Sequence, residues 1–441
     1  MNNSVSRFMK SLEERTAEIL DACTRCGKCA RVCPMLGPAG LDASDAKGIA
    51  AGVLEILKAG EDSEAAVLWA ESCTGSGRCV AACEDGINPR FMLALARAVL
   101  HRERGGPEAV QACSAELFRG MTRGVSILSR LQLAPELLQR LGQLRELEDE
   151  PEAPDVLLYT GCNVLKTPHI ALLCLDVLDA LAVSYRVAGG PSYCCGVFQF
   201  QAGDVEGFGR MSYRTIGRLS GPGAGEVLSW CPSCHVQLGD MALPSYERTE
   251  GAPFELTPFV IYLERRLEDL RPLLGNRVEK RVGMHEHPGV PGITEASRRI
   301  LEAIPGLEFV DLAQPRVGYM CTTLNALPEY KRDIHAAQLA AAEAAGVDTL
   351  AGVYHACHRD LCSHERDWPF EVVNFLELVG ESMGVERADI FKRLKIMQDV
   401  DAILADSTDM IVDYGLDPEE VREVVLKDIL GEQTLPLGRR A

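Results

Sequence analysis

Cysteine is the residue through which this chain can do chemistry. Seventeen of its 441 residues are Cys, and all but Cys113 and Cys174 fall into four blocks. A thiolate is a soft ligand, and several at close spacing suit Fe–S clusters or zinc. The first block is Cys23-x2-Cys26-x2-Cys29-x3-Cys33 followed by Pro34. That spacing places three thiolates on one tight loop around an iron–sulfur cube and sends the fourth to a neighbouring cluster. Cys113 and Cys174 lie in helix-like apolar patterns and are read as small buried hydrophobes.

The second block repeats the first at a period of 50: Cys73, Cys79 and Cys83 match Cys23, Cys29 and Cys33, while Ser76 stands in the slot of Cys26. Crossing the ligands in the two-cluster manner assigns Cys23, Cys26, Cys29 and Cys83 to one [4Fe-4S] cluster and Cys73, Cys79 and Cys33 to another. Three thiolates hold three irons, so a [3Fe-4S] cluster is expected at the second. A [4Fe-4S] cube with Ser76 or water on its fourth iron is the rival, a hydroxyl being a poorer iron ligand than a thiolate.

CTRCGKCARVCP and CTGSGRCVAAC, with their helical spacer, resemble the helical ferredoxin domain of heterodisulfide reductases and of succinate dehydrogenase iron–sulfur subunits. The Cys-x5-Cys-x3-Cys of the second copy is similar to the three-iron motif of the latter. Glu84 replaces the proline usual after the last cysteine.

Farther on, Cys162, Cys194-Cys195-Gly196 and Cys231-Pro232-Ser233-Cys234 bring five thiols from three loops. This pattern resembles the CCG domain of heterodisulfide reductases, found also in iron–sulfur subunits of glycolate oxidase and anaerobic glycerol-3-phosphate dehydrogenase. The resemblance implies a non-cubane [4Fe-4S] cluster on Cys162, Cys194, Cys195, Cys231 and Cys234, with Cys194 and Cys195 as the cluster-borne catalytic pair. Spacing alone leaves open a cubane on four of the five. At a period of 126 an eroded copy follows, with Cys195 matching Cys321 and Cys231 matching Cys357. Cys321, Cys357, Cys362 and His287 are the candidate ligands there. Zinc, an unusual Fe–S site or no metal at all remain open, because no clean set of four is spaced for zinc. His235, His285, His355, His358 and His364 lie in these loops and are read as hydrogen-bonding or surface groups.

Elements must carry these loops. Ala46 to Ala59 and Ser63 to Ala70 read as helices, and Asn88-Pro89 opens a helix to about Arg102. The run RELEDEPEAPD at 145–155 reads as a linker. Beyond it, strand patterns at Val156–Tyr159, Val227–Trp230, Val282–Met284 and Thr349–Tyr354 alternate with helices at Thr167–Leu181, Ile293–Ile304 and Ile334–Ala345. Each strand ends just before a ligand, where open α/β sheets form their crevices. The expected fold is multidomain: a mainly α-helical two-cluster ferredoxin domain (1–145), the acidic linker (146–155), and an α/β part of two pseudo-repeated, Rossmann-like CCG units (156–270 and 271–380). A cysteine-free helical tail (381–441) with a packing role ends the chain.

Composition excludes other classes. A net charge of −19 repels phosphate backbones and anionic membranes, so nucleic acid is not an expected partner. No run of 18 apolar residues predicts a transmembrane segment, and the first twenty residues lack a signal peptide's pattern, so a cytoplasmic location is expected. The phosphate-binding, dinucleotide-binding and nucleophile-elbow glycine motifs are absent. Two expectations follow. One is a heterodisulfide-reductase-type redox protein in which single electrons reach the five-cysteine cluster and a disulfide, thiol or similar two-electron substrate reacts. The other is a non-catalytic carrier docked on an FAD-linked hydroxy-acid or glycerol-3-phosphate dehydrogenase, passing electrons towards quinone. Both imply a flavoprotein or other redox subunit as partner.

Overall fold

The computed structural model describes residues 2–60, 63–142 and 153–438. Most of the acidic linker expected at 146–155 lies outside the described residues. The N-terminal part is helical: Asn2–Ala22, Lys28–Arg31, Ala46–Leu57, Glu64–Glu71, Arg78–Ala81, Pro89–Arg130 and Pro135–Gly142. Its starts are set by local chemistry. Ser63 Oγ accepts from Ala66 N at 3.2 Å, and Asn88 Oδ1 accepts from Phe91 N at 3.0 Å ahead of a first-turn proline. The helix expected to stop near Arg102 runs on to Arg130 across a break at Gly106 (φ 74°, ψ 165°). Pro107, which fits a first turn, restarts it.

Two four-stranded sheets follow. The first contains β1 (Val156–Gly161), β2 (Tyr185–Gly189), β3 (Glu226–Ser229) and β4 (Glu255–Pro258), ordered β2-β1-β3-β4. The second contains β5 (Arg281–His285), β6 (Glu308–Val310), β7 (Thr349–Gly352) and β8 (Glu371–Asn374), ordered β6-β5-β7-β8. Every pairing in both is parallel. The sequence patterns located the four central strands and missed the four at the edges. Central parallel strands are buried on both faces and read as apolar runs, whereas Glu308–Val310 and Glu371–Asn374 are short and open on a charge.

Alternation along β1 assigns its faces. Leu157 and Tyr159 join the core shared with the N-terminal helices, and Val156 and Leu158 join the core between the two sheets. In the second sheet Ala351 and Val373 face the shared core, while Leu350 and Val372 pack against the tail residues Phe391, Leu394 and Val425. The layers therefore run helical domain, first sheet, second sheet, tail. Trp230 stacks on Phe375 across the middle, with ring centroids 6.3 Å apart and planes 4° from parallel. Among the described residues no helix is long and apolar enough to cross a membrane.

One buried arginine locks three parts together. Arg90 Nε donates to Asp240 Oδ2 at 2.6 Å, and its Nη1 donates to Gly75 O at 3.2 Å and also to Gly289 O. These partners belong to the second cysteine loop, the first α/β unit and the second. Arg90→Met strands Asp240 and two carbonyls and is expected to cost about 3 kcal/mol. The check is a fall in the urea midpoint at unchanged slope.

Candidate metal centres

The first two cysteine loops are backbone copies of each other. Arg25 (φ 56°) and Gly27 (φ 71°) match Gly75 (φ 72°) and Gly77 (φ 75°), and the short helices Lys28–Arg31 and Arg78–Ala81 follow. A side chain at Gly27 would meet Ala46 backbone atoms at 2.7 Å, so this left-handed residue must be glycine on two counts. Cys26 and Ser76 occupy the position between the two left-handed residues. Cys29 is pushed up to about 12 by burial, with Cys23, Cys26 and Cys83 facing it and adding to the shift. Cys79 is likewise raised by burial and by Cys73 and Cys33. The structure thus brings Cys23, Cys26, Cys29 and Cys83 together, and separately Cys33, Cys73 and Cys79. Where a proline was usual, Glu84 pairs with Lys28, and Asp85 Oδ2 accepts from Thr24 N at 3.1 Å and from Thr24 Oγ1 at 2.8 Å. These bonds tie the Cys83 segment to the Cys23 loop.

Five thiols converge at the C-terminal ends of β1 and β3. Their exposures are 4% for Cys162, 0% for Cys194, 1% for Cys195, 5% for Cys231 and 2% for Cys234. Gly161 (φ +73°) permits this crowding, since a Cβ there would lie 2.9 Å from Cys234 Sγ. Cys194 is held well below the ordinary thiol range by hydrogen bonds from Cys162 and Cys195. Gly196 N also donates to it at 3.5 Å. Cys162 and Cys195 are driven up by donating to Cys194, Cys231 by its hydrogen bond to Cys234 and Cys234 by its hydrogen bond to Cys195, with burial adding to all four. Five sulfurs in a dry cage can all be thiolates only around a positive centre. The donor set fits an iron–sulfur cluster.

A cavity of about 570 Å³ opens on this cage. Cys162, Cys195, Cys231 and Cys234 line it, and Cys194 stays behind the wall. The tail, expected only to pack, supplies Lys427, Asp428 and Glu432 to the lining. Lys166 Nζ lies 3.1 Å from Asp428 Oδ2, and Arg359 Nε donates to Glu432 Oε2 at 2.8 Å. Cys113, read as a buried hydrophobe, is exposed and sits at the cavity, whereas Cys174 is buried as expected.

The second α/β unit gathers a different set. His285 Nε2 lies 3.1 Å from His287 Nε2 and 3.1 Å from Cys321 Sγ, and Cys321 Sγ lies 3.6 Å from His287 Nε2. Cys357 completes the group, and all four side chains are buried. His287 Nδ1 lies 2.6 Å from Val317 O, a donation that leaves Nε2 free to ligate. Cys357 is held well below the ordinary thiol range against its burial by hydrogen bonding to Cys321 and by the His287 charge. Cys362 does not join. Five residues past Cys357 on a helical path, it points about 140° away. It sits in the tail-side core, where burial raises its thiol beside Lys395. His285 is visible in the sequence only as one histidine among several. Its role depends on β5 ending at His285, which turns the His-x-His pair into the mouth of the sheet.

A helical domain with paired cysteine loops, followed by a five-thiol α/β site, is the arrangement of an iron–sulfur redox protein. Residues 19–87 match the 4Fe-4S dicluster domain and residues 156–239 match the cysteine-rich domain. The chain is homologous to the D subunit of heterodisulfide reductase. It is 24% identical to the D subunit of dihydromethanophenazine:CoB–CoM heterodisulfide reductase from Methanosarcina mazei over 399 residues, 83% of this chain and 95% of the relative. The Methanosarcina acetivorans protein of the same name is 23% identical over 83% of this chain and 94% of its own length. The B subunit of fumarate reductase (CoM/CoB) from Methanothermobacter marburgensis is 23% identical, with 70% of this chain matching 60% of that protein. No solved structure matches.

The Arg359 and Lys166 charges hold the half-buried Glu432 carboxyl down at about 2. A lowered carboxyl contributes stability that is present above the unfolded value of about 4.5 and is lost as pH falls through the folded one. Glu432→Gln is therefore expected to lower the melting temperature at pH 6, with the gap to wild type closing between about pH 4.5 and pH 2. Thermal scans at stepped pH measure it.

Proposed function

We propose that this chain is the iron–sulfur electron-transfer and reaction subunit of a heterodisulfide-reductase-type complex, with a disulfide, thiol or similar two-electron substrate meeting the five-thiol site. The carrying observation is the 570 Å³ cavity walled by Cys162, Cys195, Cys231 and Cys234. Cys23, Cys26, Cys29 and Cys83 would hold one cluster, Cys33, Cys73 and Cys79 a second, and Cys162, Cys194, Cys195, Cys231 and Cys234 an open four-iron cluster. Bound there, such clusters supply electrons one at a time. Disulfide reduction consumes two electrons and two protons and releases two thiols.

The chain's own residues position the substrate and close the gap between the sites. Tyr319 is buried, packs its ring on Gly75 of the second cysteine loop and meets Ser233, which stands between Cys231 and Cys234. Asn163 Nδ2 points at Cys162 Sγ from 3.9 Å, and His355 lies beside Cys231. Lys166 and Arg359 give the cavity wall fixed positive charge, balanced by Asp428 and Glu432.

The eroded copy supports a division of labour between the two α/β units. His285, His287, Cys321 and Cys357 form a four-ligand set of the closed, tetrahedral kind that zinc takes in structural sites. In this reading the second unit braces the cavity and holds no cluster. The missing thiols also favour the carrier reading, in which the chain passes electrons to or from an FAD-linked dehydrogenase.

Anaerobic protein is expected to contain about eleven irons, the sum of one [4Fe-4S], one [3Fe-4S] and one open four-iron centre, and a second cube would raise the count to about twelve. Cys195→Ala should lose about four of them, and an unchanged count sinks the assignment. The set of His285, His287, Cys321 and Cys357 is expected to hold about one zinc per chain, lost from that set in Cys357→Ser and retained in Cys362→Ala. Dithionite-reduced protein mixed with a panel of small disulfides should release thiol. No release from any of them, together with bleaching by a flavoprotein encoded nearby, decides for the carrier.

A further inference from the structure

We propose that the chain binds another divalent metal ion between His169, His358, Glu377 and Asp389, a set that contains no thiol. Each of the four offers one ligand atom, and these atoms all lie within 4.8 Å of one another. His169 is 2% exposed, yet neither of its ring nitrogens has a hydrogen-bond partner. Its Nε2 stands 3.6 Å from Glu377 Oε1 and its Nδ1 stands 3.5 Å from Asp389 Oδ1, beyond hydrogen-bond reach. His358 Nε2 is 2.6 Å from Asp389 Oδ2, and its Nδ1 also lacks a partner. Buried polar atoms left without partners are rare and call for an explanation. An ion at the centre would supply a partner to each imidazole and would balance the two carboxylates.

The donor set names the ion's class. Two imidazoles and two carboxylates suit Zn²⁺, Mn²⁺ or Fe²⁺ and offer nothing to the thiophilic metals. The nearby Lys392 ammonium is held elsewhere, donating to Glu365 Oε2 at 2.9 Å and Val372 O at 3.2 Å.

Placement gives the site a purpose. His169 lies on the helix Pro168–Ala180 that follows the Cys162 loop. His358 lies on the helix His355–Leu361, which also carries the cavity residues His355 and Arg359. Glu377 belongs to the helix Phe375–Met383, and Asp389 caps the first helix of the tail, Ile390–Met397. One ion would pin the first unit, the second unit and the tail together behind the cavity wall.

The test uses the full chain, prepared anaerobically with its clusters and washed with a mild chelator. Titrated with MnCl2, it should quench the EPR sextet of free Mn²⁺ to about one ion per chain, since thiolate sites take Mn²⁺ poorly. Saturation should raise the melting temperature, because the ion binds only the folded state. Glu377→Gln and His169→Gln should each weaken binding at least about tenfold, while Cys357→Ser leaves it unchanged. Should those variants fail to fold, wild type alone decides. Undiminished Mn²⁺ signal, with all bound zinc lost in Cys357→Ser, overturns the proposal and leaves a metal-free network of protonated imidazole and carboxylate.

Discussion

Burial of many thiols at close range is the constraint on which this structure rests. A thiolate out of water is costly, and several side by side repel one another as well. In the five-thiol cage Cys194 alone is stabilised as the anion, by hydrogen bonds from the thiols around it. The others are driven the opposite way. Such a cage keeps its shape because the parallel sheets deliver their loops to it from rigid strand ends. Tyr159, within β1, donates from its hydroxyl to Tyr193 O at 2.6 Å and so fixes the Cys194–Cys195 loop against the strand.

The two α/β units show one topology carrying two kinds of donor set. Both order their strands alike, and both present side chains at the C-terminal ends of their central strands. In the first the side chains are sulfurs. In the second, imidazoles of His285 and His287 stand at the end of β5, and only Cys321 and Cys357 remain of the thiols. Ligand softness falls from one unit to the next while the scaffold stays the same.

How much is legible in the sequence follows from the range of each signal. Cysteine spacing is local, so the ferredoxin-type loops and the five-thiol set stand out, and central strands announce themselves as apolar runs. The contacts that complete each site are not local. Cys362 resembles a ligand because it lies in the correct loop region, and the helical path after Cys357 turns it away. His285 meets Cys321 and Cys357 only through the folding of the second unit, and the group of His169, His358, Glu377 and Asp389 carries no spacing signal because its meeting depends on packing the two units and the tail together. The tail's part in the cavity is invisible for the same reason: Glu432 reaches Arg359 across a long stretch of chain.

The order in which these pieces emerge during synthesis bears on when the cavity is completed. All five cysteines of the first unit leave the ribosome well before Asp428 and Glu432, which later wall the cavity over them. Until then the cavity lacks the part of its lining that Lys427, Asp428 and Glu432 supply. The segment that completes the wall is thus the last part of the cavity to be made, and it arrives after every thiol it will enclose.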